Sequence, residues 1–143
     1  MKLVLQLGRC FMTNMVNSPN ITKCFVLSPA GTVAHALHLQ GGAPWKEHLF
    51  DLEAEMSVTT PILYVLYEDE REKKWRIQCV PPGPGSFDQR KGLPAAWRGL
   101  RDEVLSEAAG VPGCVFVHAS GFIGGNATYE GILDMACKSV AAS

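Results

Sequence analysis

The sequence has no CxxC pair, no apolar run of about 18 residues and almost no net charge, −1 over 143 residues. Each absence removes a class of protein. Cys10, Cys24, Cys79, Cys114 and Cys137 form an odd, scattered set. Neither a disulfide framework nor a thiolate zinc site fits that pattern, so free thiols in a reducing, intracellular compartment are expected. Without a long apolar run there is no candidate membrane-spanning helix, and no membrane partner is expected. The balanced charge gives no global basic field, although a local basic patch is compatible with it. The opening MKLVLQLGRCFM has one lysine and no convincing small-residue cleavage site, so it reads as structure rather than as a secretory signal. Glycine-rich stretches occur, but none continues into Gly-Lys-Ser/Thr and no GxGxxG is in register. A Walker-type loop is therefore excluded. No nucleophile–base pair and no Asp/His metal cluster can be identified, and the acids are scattered or gathered in one charged turn.

What is present is globular: 47% hydrophobic and 19% charged residues, in a length that suits one domain. Leu3, Leu7, Cys10, Phe11 and Met15 recur at helical spacing from Lys2 to Val16, and NSPN breaks the segment. KCFVLS and TVAHALHL read as extended pieces, and GGAPWKEHLFDLEAEM reads as a helix with Pro44 in its first turn. PILYVLYED and WRIQCV, joined by charged residues, read as an antiparallel hairpin. PPGPGSFDQRKGLP, with four prolines and three glycines, reads as a surface loop. Pro94 is expected to open a helix bearing Trp97, Leu100, Val104, Leu105 and Ala108, closed by Gly110. VPGCVFVHA is almost wholly apolar, which suggests a central strand covered on both faces. The last helix carries Tyr129, Ile132, Leu133, Ala136 and Val140 on one face. The expected fold class is α/β (α+β): a mixed sheet with an antiparallel hairpin packed against helices, and a strand, glycine-rich turn and helix near the C-terminus.

That last unit, HASGFIGGNATYEG at residues 118–131, holds the main candidate site. A helix N-terminus presents orphan N–H groups and partial positive charge, and glycine lets an anion approach them. The candidate substrate-binding residues are His118, Ser120, Gly121, Gly124, Gly125, Asn126 and Thr128, with the N–H groups of Gly124, Gly125 and Asn126 as the cradle. His118 and Thr128 would be supporting donors. Spacing alone favours a purely structural turn over this cradle. Arg98 and Arg101, three apart on an expected helical face, could grip backbone phosphates, or pair with Asp102 and Glu103. Trp75 and Trp97 lie beside arginines in sequence. That interleaving suits base stacking, but core anchoring is the more ordinary role. His35 and His38 sit in an extended context, where i and i+3 face opposite sides, so a metal pair is not expected there. Most of Lys46, Glu47, His48 and Asp51 is expected to be a solvated helix face.

Five ordered stretches, APWKEHLFDLE, WRIQCVP, LPAAWRGLRDE, PGCVFVHASGFIGG and TYEGILDMA, resemble the C-terminal part of the melanocyte proliferating gene family. The likeness runs from Cys24 to Ala142. It implies a branch of the DHH phosphoesterase superfamily, whose members use divalent metal (manganese or magnesium) to cleave phosphodiesters. It further implies 3′–5′ RNA exonuclease activity and mitochondrial or nuclear locations. In that family the metal ligands lie in an N-terminal domain with a block similar to THNGTFHCDE, which is absent here. The resemblance thus makes residues 23–143 the substrate-binding C-terminal domain, with residues 1–22 a weakly matched helix and linker. No cofactor is expected on this chain itself. The expected partners are RNA or another phosphoester and the missing N-terminal DHH domain. The glycine–glycine–histidine turn that such domains present to substrate phosphate is matched by Gly124-Gly125-Asn126. Asparagine can donate there but cannot carry a proton charge. Little or no catalysis by the isolated chain is expected, because the metal machinery is missing. The rival expectation is a non-catalytic interaction or assembly module, with a homodimer as one form of it.

Overall fold

The computed structural model describes residues 4–6, 10–14, 21–27, 33–39, 49–50, 54, 62–83 and 85–142. Its strands are β1 (Val4–Gln6), β2 (Cys10–Asn14), β3 (Ile21–Leu27), β4 (Val33–Leu39), β5 (Ile62–Glu68), β6 (Trp75–Cys79), β7 (Cys114–Val117) and β8 (Ile123–Asn126). Two helices, α1 (Asp102–Ala109) and α2 (Tyr129–Ala141), follow a short 3-10 turn at Ala95–Trp97. The strands form one mixed sheet in the order β1-β2-β3-β4-β5-β6-β8-β7. Neighbours are antiparallel except β4 and β5, which run parallel. A parallel pair needs a long crossover. The chain between Leu39 and Ile62 supplies it, and Leu49, Phe50 and Ala54 within it are helical.

From Tyr64 onward alternation along β5 feeds two cores, and the register shift between the pairs His35↔Ile62 and Ala36↔Tyr64 sets Ile62 with the second. Tyr64 and Leu66 join Ile77, Cys79, Leu93, Trp97, Leu105, Val117, Ile132, Met135 and Val140 on one face. Ile62 and Val65 join Leu49 and Val80 on the other, with Phe50 and Tyr67 packed alongside. β5 is thus covered on both sides, which explains its unbroken apolar run ILYVLY. The helix α2 faces the first core because Ile132, Leu133, Met135, Ala136 and Val140 share one side of it. Burying each of the large ones stabilises the fold by roughly 1.5–3 kcal/mol. Tyr64 Oη and Ser139 Oγ meet at 2.7 Å inside that core, so the one buried hydroxyl pair between sheet and helix is satisfied.

The expected hairpin is β5–β6, paired from Tyr64↔Cys79 to Glu68↔Trp75. Four expectations need correction. The described residues between Lys2 and Val16 are strands rather than helix: β1 and β2 pair from Val4↔Met12 to Gln6↔Cys10, and β2 pairs in turn with β3. Short apolar runs satisfy helix and strand periodicity alike, and sheet pairing decides between them. The helix expected from Pro94 is broken. Arg98 and Arg101 are extended, Gly99 has φ 77° and Asp102 has φ 51°, so the helix restarts at Asp102. The apolar strand β7 is an edge, not a centre. Its outer side is covered by Gly99 N–H to Val117 O at 3.0 Å and Val117 N–H to Leu100 O at 3.1 Å, with an Arg101↔Phe116 bridge beside them. Finally, Gly124, Gly125 and Asn126 do not form a turn before the helix; they are strand β8.

Candidate functional site

The strand β8 lies between β6 and β7. Gly124 and Gly125 stand opposite Ile77 and Arg76 on one side and Val117 and Phe116 on the other. In a strand flanked on both sides the N–H groups face ladder partners, so the expected cradle of Gly124, Gly125 and Asn126 N–H groups is not open to an anion. The glycines serve close packing instead. A Cβ at Gly124 would sit 3.1 Å from Phe116 O and 3.2 Å from Leu93 Cδ1; one at Gly125 would sit 2.7 Å from Arg76 Nη1.

Asn126 is 0% exposed, and its amide is fully used. Nδ2 donates to Pro112 O at 3.0 Å and lies near Cys114 Sγ and Met135 Sδ. Oδ1 accepts from Thr128 N–H at 3.0 Å and from Thr128 Oγ1 at 3.3 Å. Thr128 Oγ1 in turn accepts from Gly131 N–H at 3.0 Å, which caps α2. Gly131 is glycine because the Asn126 amide occupies the space a Cβ would need. Asn126 and Thr128 thus join the end of β8, the loop before β7 and the start of α2.

The other end of β8 is built differently. The turn at residues 118–122 closes with Gly121 N–H to His118 O at 2.8 Å and Gly121 at φ 75°. Its underside is stitched down: Leu93 N–H donates to Gly121 O, Cys79 N–H to Phe122 O, each at 2.9 Å, and Cys79 Sγ to Gly121 O at 3.4 Å. Burial, the largest effect, pushes the Cys79 thiol up to about 12 against the opposing influences of Leu93 N–H and the Arg98 charge, so the floor stays neutral. The upper side carries exposed polar groups. Ser120 N–H donates to His118 Nδ1 at 3.1 Å, and Ser120 Oγ is 2.9 Å from the same nitrogen. Nδ1 is therefore the acceptor and the ring proton sits on Nε2. The ring rests edge-on against Phe122, 4.8 Å between centroids.

Arg98 crosses this turn. Its Nε donates to Leu93 O at 3.0 Å. Its guanidinium fills the space that side chains at Gly92 and Gly121 would take. Arg98 forms no ion pair among the described residues, so its terminal N–H groups remain available. The structure thus brings Arg98, His118, Ser120 and Gly121 together, and places Gly124, Gly125, Asn126 and Thr128 along and beyond β8. Arg101 lies at the outer edge of β7, not on a helical face shared with Arg98. The tryptophans are core anchors: Trp97 is 5% exposed and Trp75 packs on Tyr129. Among the described residues the strongly exposed aromatic is Phe87, in the loop before the 3-10 turn. It was not legible in sequence, since phenylalanine is ordinarily buried.

The arrangement can hold an anion but carries no visible catalyst. Ser120 and His118 are close enough for a nucleophile–base pair, yet the Nδ1 lone pair is shared with Ser120 N–H and no carboxylate among the described residues bonds to the ring. Among the described residues no group of three or more His, Cys, Asp or Glu could hold a metal ion. The described residues offer no divalent centre, and no step below runs through one.

Comparison with known proteins agrees on one family. The MYG1_exonuc family model, described as Uncharacterised protein family (UPF0160), matches residues 13–140. MYG1 exonuclease of Rattus norvegicus is 57% identical over 102 residues, 71% of this chain and 26% of the relative. MYG1 exonuclease of Homo sapiens is 50% identical over 117 residues, 82% of this chain and 30% of the relative. MYG1 protein of Dictyostelium discoideum is 54% identical over 97 residues, 68% of this chain and 29% of the relative. The chain thus spans less than a third of the length of these curated relatives. No solved structure matches it. With a family model covering nearly the whole chain and relatives at half identity or better, this protein belongs to the MYG1 family.

Proposed function

We propose that this chain is the substrate-binding part of an exonuclease of the DHH type, and that it positions RNA by a backbone phosphate at the 118–122 turn. The carrying observation is Arg98. Its guanidinium lies across Gly92 and Gly121 with only Nε engaged, beside the exposed His118 ring and Ser120 hydroxyl. A fixed cation with spare N–H donors, on a turn that also exposes the His118 Nε2–H, is a composition that a phosphate oxygen fits. The neutral thiol beneath leaves the cation uncompensated on that side. The exonuclease names of the rat and human relatives support a phosphodiester substrate. The metal-dependent cleavage proposed for the whole family member belongs to parts beyond these residues.

Arg98→Gln keeps the stem and removes the charge. Losing one charge-assisted contact is worth about 1.5–3 kcal/mol, so affinity for a short single-stranded RNA should fall roughly 10- to 100-fold. Fluorescence anisotropy measures it; unchanged affinity would remove Arg98 from the site.

A further inference from the structure

The loop over residues 81–94 has a feature that phosphate binding does not require. Phe87 is 98% exposed, in a protein whose only other strongly exposed large apolar side chain among the described residues is Val104. Leaving a phenylalanine in water forgoes the stabilisation that burial would give. The loop holding it is not loose. Arg90 N–H donates to Val80 O at 2.9 Å, Arg90 Nη1 to Ile62 O at 2.9 Å, Lys91 Nζ to Ala142 O at 2.7 Å and Leu93 N–H to Gly121 O at 2.9 Å. Near the tip, Ser86 N–H reaches Gly83 O and Asp88 N–H reaches Ser86 Oγ, both at 3.2 Å. The ring is therefore held out by a braced loop, and ordering it on binding costs little.

Gln89 braces the backbone of the Phe87 loop. Its Nε2 donates to Phe87 O at 3.3 Å. Its Oε1 lies 3.4 Å from the point a Cβ on Gly92 would occupy, and Arg98 Nη2 lies 2.7 Å from that same point. The Gln89 and Arg98 side chains thus both approach the open face of Gly92, at the base of the loop that carries Phe87. The chain neighbours of Phe87 are Ser86, Asp88 and Gln89, with glycines at 83 and 85. A protein interface core would group several apolar side chains. A lone exposed ring on a loop whose base carries a cation is instead the combination that suits single-stranded nucleic acid, base on ring and phosphate on cation.

We infer that Phe87 is a base-stacking residue for single-stranded RNA, receiving the base of a nucleotide close to the phosphate held by Arg98. This rests on the phosphate-binding reading of Arg98, and the test separates the two. Binding of a fluorescein-labelled single-stranded RNA octamer is measured for the 143-residue chain and for Phe87→Ala, Phe87→Trp and Arg98→Gln. The same is done with an abasic octamer of equal charge. Stacking predicts that Phe87→Ala weakens RNA binding by about 5- to 100-fold, leaves abasic binding unchanged, and that Phe87→Trp retains affinity. Weakening by Arg98→Gln with no effect of Phe87→Ala would overturn the stacking role and leave the phosphate site standing. Equal loss on the abasic strand would also overturn it. No RNA binding by the unaltered chain would remove both readings. Phe87-dependent self-association in sedimentation, without an RNA effect, would reassign the ring to a protein contact and overturn the inference.

Discussion

Replacing the Asn126 amide by a carboxylate would turn an oxygen, and a charge, toward the Pro112 carbonyl that Nδ2 now serves. A buried group left unsatisfied costs roughly 1–3 kcal/mol, and a charge costs more. Asn126→Asp should therefore lower the urea midpoint at neutral pH. Gly131→Ala should lower it too, against the ordinary trend. Alanine gains about 1 kcal/mol in a helix over glycine, but its Cβ would collide with the enclosed Asn126 amide, and overpacking costs roughly 1–3 kcal/mol. A rise in midpoint for Gly131→Ala would show that Asn126 yields freely. The family resemblance singled out Asn126 as a phosphate-facing position; in the structure its amide is bonded within the fold. Its acceptor lies 14 residues earlier in the chain, and no local pattern announces such a contact.

At the scale of elements, β5 and α2 hold the fold and the turn is built on top of them. Leu66 is 0% exposed in the main core, so Leu66→Ala should cost about 2–5 kcal/mol. Val104→Ala, on the exposed side of α1, should stay within roughly 0.5 kcal/mol. Equal losses by chemical denaturation would contradict this division of the elements. The hairpin and the last helix were legible because each follows a clean period, two in WRIQC and 3.6 in YEGILDMACKSVA. The break between Trp97 and Asp102 was not legible. The pattern runs smoothly through it, and only the pairing of residues 99–101 with β7 pulls the backbone straight. The same pairing lets an apolar strand survive at an edge, where composition alone suggests a centre.

For the whole molecule, buried acids set a pH limit. Burial raises Cys79 from its ordinary 9.0 to about 12. Burial likewise raises Tyr64, against the opposing bond to Ser139. Both groups stay protonated in the fold after the unfolded chain has begun to ionise. The unfolded state then binds fewer protons, so stability falls as pH rises. It should be complete below pH 9 and decline from there toward 12. Thermal melts from pH 7 to 11 measure this, and Cys79→Ser should blunt the decline. A flat profile would mean that solvent reaches these groups.

The central claim is that phosphate is held at the N-terminal end of β8, by the 118–122 turn and Arg98, rather than at its C-terminal end by Gly124 to Thr128. Nitrogen-15 NMR titration with a 3′-phosphorylated RNA trinucleotide measures this directly, residue by residue. The account predicts that the Arg98 Nε–H signal and the backbone amides of Ser120, Gly121 and Phe122 shift together and saturate at one affinity. Gly125, Asn126 and Thr128 should stay still. Saturable shifts confined to Gly124 through Thr128, with Arg98 unmoved, would contradict it.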